Sequence, residues 1–318
     1  MSKYTIEEAN NKKNWDEFIL ESINRNFYAL SDCLSIEKNI RFFYIKKNNE
    51  KLALIPLKIL GDKILNCDFL IQTPIIYRCI KNSNNYRNIQ EQLVTVKVIK
   101  DFIENNFKYA SITFDFRTQD MRPFLWSKEK KFLIQQKYTL IIDINKNDNN
   151  NFLLTNLFKN FSYTKRNEIR NSIKEKYLFE EKFSKSLFIE MMKKSALNHG
   201  QNFDEDKHVN LANMLEIMYK KKFITMFTVY HTGIPVMVSI ISTINNFSTY
   251  LFSARSSNFQ NKNLEGAFMM TNIFNYLKNF KIEQFDFEGM NSEKNSFYKM
   301  NYGGTLIPYY RIEFGHEF

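Results

Sequence analysis

Hydrophobic positions along the chain follow two periods, and the switches between them mark out the elements. Trp15, Phe18, Ile19 and Ile23 recur at helical spacing behind Asn14-Trp15-Asp16-Glu17, a capping-box pattern that predicts a short helix with Asn14 as N-cap. Apolar runs at residues 40–46 and 52–59 flank Asn48-Asn49 and predict a β-hairpin, and residues 64–71 continue the strands. Leu93, Val96, Ile99, Phe102 and Ile103 predict a helix over 89–106, which hands over to a strand at 109–116. A strand at 138–144 precedes the Asn- and Asp-rich residues 145–151, the best candidate for a domain boundary. Helices are expected at 161–176, 185–198 and 206–221, the second closed by His199-Gly200 as a C-cap. Strands follow at 223–231, 235–244 and 248–254, separated by turns at Thr232-Gly233 and Asn245-Asn246. A helix over 264–278 turns Leu264, Ala267, Phe268, Phe274 and Leu277 inward. A strand at 284–288, a short helix near 293–300 and a last strand at 306–314 complete the pattern.

The pattern contains an echo. Phe114-Asp115-Phe116 and Phe285-Asp286-Phe287 each end a strand that follows an amphipathic helix, and each helix follows antiparallel strands. A duplicated unit accounts for the matched order of elements. Mostly antiparallel strands with a few long helices predict an α+β fold with mixed sheets, in two halves at residues 1–145 and 146–318.

Composition changes this picture little. The length of 318 residues, 44% hydrophobic with 31 Phe and 17 Tyr, excludes a largely disordered chain. Lys and Arg number 45 against 34 Asp and Glu, giving a net charge of +11. That excess fits an anionic partner, but a chain rich in Lys, Asn, Ile and Phe and poor in Gly also bears the mark of an AT-rich genome. Local clusters of charge are therefore the informative ones. Cys33, Cys67 and Cys79 form no CxxC pair, and His199, His208, His231 and His316 show no HxxxH or HxH spacing, so neither a disulfide framework nor a metal site is expected. The polar first 14 residues lack a signal-peptide core, and no apolar run approaches a membrane span. A cytoplasmic protein is expected, with contact at the membrane surface as a further possibility.

Candidate chemistry concentrates in residues 285–311. On a strand, Asp286 and Glu288 share one face, where two carboxylates can orient an ammonium and accept its proton, with mutual repulsion raising one pKa. Lys299 suits a phosphate or the negative charge that develops on an acyl group, and Tyr298 and Tyr302 are potential proton donors. Gly303-Gly304, in a chain of 8 glycines, points to positive φ or close backbone approach to a ligand, or to a tight turn into the last strand. Arg166, Arg170 and Lys174, beside Lys165, follow at i, i+4 and i+8 and form a cationic stripe suited to a diphosphate or an RNA backbone, or simply to solvent. Arg117 and Arg122 follow the first Phe-Asp-Phe and mark a possible acceptor pocket.

The run from Phe285-Asp286-Phe287-Glu288-Gly289-Met290 through Phe297-Tyr298-Lys299-Met300-Asn301-Tyr302-Gly303-Gly304 to Ile307-Pro308-Tyr309-Tyr310-Arg311-Ile312 resembles the closing signature of FemAB-like transferases of the GNAT superfamily. Lys299 matches the motif's lysine, Tyr302 its aromatic position and Gly303-Gly304 its glycines. The basic run 165–174 resembles the family's basic helix, and Trp15-Asp16-Glu17-Phe18 its first helix. The resemblance implies two GNAT-like halves. It further implies transfer of an acyl group from acyl-CoA, or of an amino acid from aminoacyl-tRNA, to an amine of a cell-envelope precursor such as a nucleotide-linked amino sugar. A non-catalytic pair binding nucleotide or RNA is the alternative. The chain departs from acetyl-CoA-dependent GNAT enzymes after Arg255, where residues 255–267 lack the glycine pair of the phosphate-binding loop and Glu265 opposes a phosphate.

Overall fold

The computed structural model describes residues 4–9, 11–69, 72–78, 85–128, 130–144, 152–256 and 262–315. The expected boundary at 145–151, together with Cys79 and His316, lies outside the described residues. Backbone contacts divide the chain into two compact units, one of Met1–Tyr138 with Pro308–Phe318 and one of Thr139–Ile307.

The first unit holds strands β1 (Tyr4–Glu8), β2 (Ile40–Lys47), β3 (Glu50–Leu60), β4 (Lys63–Leu65), β5 (Ile76–Tyr77) and β6 (Tyr109–Thr113), with helices α1 (Lys12–Glu21), α2 (Ser31–Leu34), α3 (Asn85–Asn106) and α4 (Arg122–Leu125). Strands β1 to β4 pair antiparallel in sequence order, and β5 pairs with β3. Helix α3 then carries the chain across so that β6 lies parallel to β4, with Lys63 opposite Tyr109. Val96, Ile99 and Ile103 on the inner face of α3 pack with Ile45, Ile55, Ile64 and Ile112 of the sheet.

The second unit repeats this order. Its elements are α5 (Asn156–Lys159), α6 (Tyr163–Ser172), β8 (Tyr177–Glu181), α7 (Lys185–Asn198), α8 (Glu205–Lys220), β9 (Ile224–His231), β10 (Ile234–Ile244), β11 (Phe247–Arg255), α9 (Lys262–Asn279), β12 (Gln284–Asp286) and α10 (Glu293–Met300). Strands β8 to β11 pair antiparallel, α9 carries the chain across, and β12 lies parallel to β11 with Phe247 opposite Gln284. The mixed, mostly antiparallel α+β architecture expected from the pattern is present in each unit.

Two strands cross the unit boundary. Strand β7 (Leu133–Asp143) follows β6 in the chain, yet its end pairs antiparallel with β12, Ile141 opposite Asp286. Strand β13 (Thr305–Phe314) follows β12, yet its end pairs antiparallel with β6, Arg311 opposite Thr113. Each sheet is therefore completed by a strand that follows the other unit's crossover in sequence.

Local details differ from the sequence expectation. Helix α1 starts earlier, with Asn11 as N-cap accepting from Asn14 N–H at 3.1 Å, and Ile23 lies beyond its end. Strand β4 ends at Leu65. The helix expected at 161–176 is α6 alone, stopping at Ser172, so Lys174 stands past its end. Strand β6 stops at Thr113, and Phe114 beyond it bridges Thr73. Strands β1 and β8 lie where the hydrophobic pattern predicts no strand. The hairpin turn at Asn48-Asn49 is present with φ of 47° and 71°, and Gly200, at 64°, follows the His199 cap as expected.

Candidate functional site

The site grows from the end of β12. Phe285 and Phe287 bury their rings in the second core, Phe285 against Phe274 at 5.6 Å between centroids and Phe287 against Tyr302 at 5.2 Å. Between them Asp286 turns its carboxyl to local partners. Its Oδ1 accepts from the Glu288 N–H at 2.7 Å and from the Thr139 hydroxyl on β7. This Asx turn, where a side chain caps the backbone two residues on, ends the strand and throws Glu288 into a left-handed conformation, φ 54°. The two carboxylates consequently do not stand side by side on one strand face, as an uninterrupted strand would have placed them. The same turn appears in the first unit, where Asp115 Oδ1 accepts from the Arg117 N–H at 2.8 Å.

Glu288 is 4% exposed, and its Oε1 meets no hydrogen-bond partner. Burial pushes its carboxyl up to about 8, against the opposing pull of Lys299. Desolvation, not repulsion from Asp286, is the cause of the shift. Lys299 reaches in from α10 and donates to the main-chain oxygens of Glu288 at 2.6 Å and Gly289 at 3.0 Å. Two of its three N–H groups thereby hold the left-handed turn. Burial draws its pKa below the usual lysine value, while Glu288 and Asp286 act in the other direction.

One residue along α10, Tyr298 begins a second group. Its hydroxyl lies 3.1 Å from that of Tyr302, which is fully buried and pushed well above the ordinary phenol range, first by burial and then by Tyr298. The Lys165 ammonium sits 4.7 Å and 4.9 Å from the centres of the two rings and pairs with Glu168. Lys165 is thus the buried member of the basic run, on the same helical face as Ile169 and Ser172, and that inward spacing was the available signal. Arg255 lies 5.9 Å over the Tyr298 ring, and its guanidinium rests on Gly266, where a Cβ would come within 2.3 Å of it.

Other anticipated residues are engaged elsewhere. Arg166 donates to the carbonyls of Lys159 and Phe161 at 2.8 and 2.9 Å, while Arg170 and Lys174 stand exposed against Asn167 and Asn171. In the first unit Arg117 pairs with Asp115 at 3.0 Å and Arg122 forks onto Asp120 at 2.8 and 2.6 Å, so both guanidiniums neutralise their own loop. Gly303 and Gly304 have φ of 71° and 96°, and added Cβ atoms would meet the carbonyl oxygens of Asn160 at 3.0 Å and Ile141 at 2.6 Å. The close approach they permit is to the chain's own backbone. Among the described residues no group of His, Cys, Asp and Glu is placed to hold a metal ion. The turn between β11 and α9 falls largely on residues outside the described set. The first turn of α9 carries the buried carboxyl of Glu265, which opposes a diphosphate there, while the guanidinium of Arg255, from the end of β11, packs against Gly266 and favours one.

No family model matches the chain, and no curated protein matches it. Among solved structures it resembles FemX, with a TM-score of 0.64 and 13% identity over 97% of this chain and 96% of that one. L-PGS from Bacillus licheniformis superposes at a TM-score of 0.58 and 14% identity, over 96% of this chain and 92% of that one. A tandem GNAT protein from the clavulanic acid biosynthesis pathway matches all of both chains at 0.54 and 8% identity. The chain has the FemAB-like fold of two GNAT-type halves.

Proposed function

We propose that the protein is an N-acyltransferase that moves an acyl or aminoacyl group onto an amine of a cell-envelope or surface-polysaccharide precursor. The fold shared with FemX, L-PGS and a tandem GNAT protein supports the class, and one observation carries the chemistry: the buried Glu288 carboxyl, its Oε1 without a hydrogen-bond partner, poised near neutral pH. Attack of an amine on an ester or thioester forms the new C–N bond and expels an alcohol or thiol. The amine must lose a proton and the leaving oxygen or sulfur must gain one. A carboxyl with a pKa of about 8 is about one-tenth ionised at pH 7 and takes the amine proton far more readily than an ordinary glutamate. Asp286, Thr139 and Lys299 act by position, fixing the turn that aims Glu288. Tyr298, with Tyr302 behind it, is the hydroxyl available to return a proton to the leaving group.

The donor separates two forms of this reading. Acyl-CoA requires the α9 start to accept a diphosphate, and aminoacyl-tRNA requires cationic surface such as Arg170 and Lys174. Incubating the protein with acyl-CoAs or charged tRNA, each with nucleotide-linked amino sugars, and measuring amide formation tests both. We expect transfer that rises with pH to a plateau above about 8 and falls by about 10²- to 10⁴-fold in Glu288→Gln. Unchanged turnover in that variant, or no transfer from either donor, removes the reading.

A further inference from the structure

Helix α10 has two faces. The inner one carries Tyr298 and Lys299; the outer one carries Lys294, Phe297 and Met300, with Phe297 63% and Met300 54% exposed. The Ser162 N–H donates to the Asn301 carbonyl at 2.9 Å, so α6 begins where α10 ends. Tyr163, 71% exposed, stands at that junction. Lys159, Lys294, Arg170 and Lys174 are all exposed on these segments, while the one acidic side chain exposed on α10 is Glu293. Two aromatic rings and a methionine left in water share these segments with four exposed cations and, on the same face of α10, the single carboxylate of Glu293, so the surface is apolar with a net positive surround.

We propose that this face docks on a bilayer surface rich in anionic phospholipid. Tyr163, Phe297 and Met300 enter the boundary between headgroups and acyl chains, and Lys159, Lys294 and Arg170 lie on the phosphates. The net positive charge selects an anionic layer. Met300, which offers no stacking face, fits acyl chain better than the bases of an RNA strand. Docking by α10 sets Lys299 and the Glu288 turn about one helix diameter, roughly 10 Å, from the lipid surface. A lipid-linked amine is then the acceptor presented to the site. That last step rests on the transferase reading; the docking does not.

Sedimentation of the full-length protein with vesicles tests the docking directly. We expect it to pellet with phosphatidylcholine vesicles containing phosphatidylglycerol and to remain in the supernatant with phosphatidylcholine alone. High salt should reverse the binding. The double variant Phe297→Asp/Met300→Asp and the separate Arg170→Glu/Lys294→Glu should each weaken vesicle binding at least about tenfold, with melting temperatures unchanged because all four side chains are exposed. Absence of vesicle binding overturns the proposal, as does binding that neither variant weakens. It is equally overturned if the first variant instead dissociates a dimer on size exclusion, or if the variants lose RNA binding in a gel shift without any vesicle binding. Vesicle binding without transfer activity would leave the docking intact and remove only the acceptor.

Discussion

Glu288 carries a burial cost that depends on pH. Its folded pKa, pushed up to about 8 by burial, lies above the ordinary glutamate value, so between these values the folded chain holds a proton that the unfolded chain has lost. The favourable protonated state is complete below the ordinary value, and stability falls as pH rises through that window, by a few kcal/mol in order of magnitude. Well above pH 8 the group is ionised in both states, the loss is complete and the slope vanishes. Glu288→Gln removes the ionisation. Its melting temperature, measured against the parent at a series of pH values, should therefore gain steadily from pH 5 to pH 8 and then level off. A difference independent of pH would show that Glu288 is not held protonated. Only part of this was legible in the sequence. Phe285 and Phe287 announced a buried strand, and the acids between and beyond them announced chemistry. That Asp286 would cap the backbone of Glu288 depends on one side chain breaking the strand two residues early, and period-2 reasoning cannot see that. Lys299 matched a motif, but its partners are two main-chain carbonyls that only the left-handed turn presents to it.

Among the elements, those with strong periodicity were readable and those set by tertiary pairing were not. Helix α7 spans Lys185–Asn198 as its spacing and Gly200 dictate, and the hairpin of β2 and β3 follows from Asn48-Asn49. Strands β1 and β8 are short, each of 5 residues ending in Glu-Glu and too brief to show a period; they exist because β2 and β9 offer edges to pair with. The glycine pair before β13 sits between these cases: its presence was visible, its cause was not. Gly304 combines φ of 96° with the Ile141 carbonyl oxygen 2.6 Å from any Cβ, whereas Gly61, at 60°, faces open space. Alanine at Gly61 should cost about 1–2 kcal/mol from its left-handed backbone alone. Alanine at Gly304 must also displace a backbone carbonyl, and should cost about 3 kcal/mol or more. Denaturant melts of the two single variants check this, and equal losses would mean that the entry to β13 is loose enough to yield.

At the scale of the molecule, the duplication seen in two Phe-Asp-Phe motifs is a duplication of topology. Each unit runs four antiparallel strands, a helical crossover, a fifth parallel strand and an antiparallel closing strand. What two tripeptides do not reveal is the source of each closing strand. Strand β12 has β11 on one side, and its other side is filled by Ile141, Ile142 and Asp143 of β7, which follows the first unit's crossover. Strand β6 in turn is closed by Arg311–Phe314 of β13. A chain cut between residues 145 and 146 therefore yields two pieces, each deprived of a strand that its own sheet needs. The later piece would lose Thr139, Leu140 and Ile142, and with them the hydroxyl that holds Asp286 and a stretch of the second core. A bare inner edge and an opened core leave too little burial to offset chain entropy. We expect neither piece alone to melt cooperatively by circular dichroism, and the equimolar mixture to regain a single transition. A later piece that folds unaided, with a sharp transition of its own, would mean that β7 is an accessory to the second unit and that the Asx turn at Asp286 holds without Thr139.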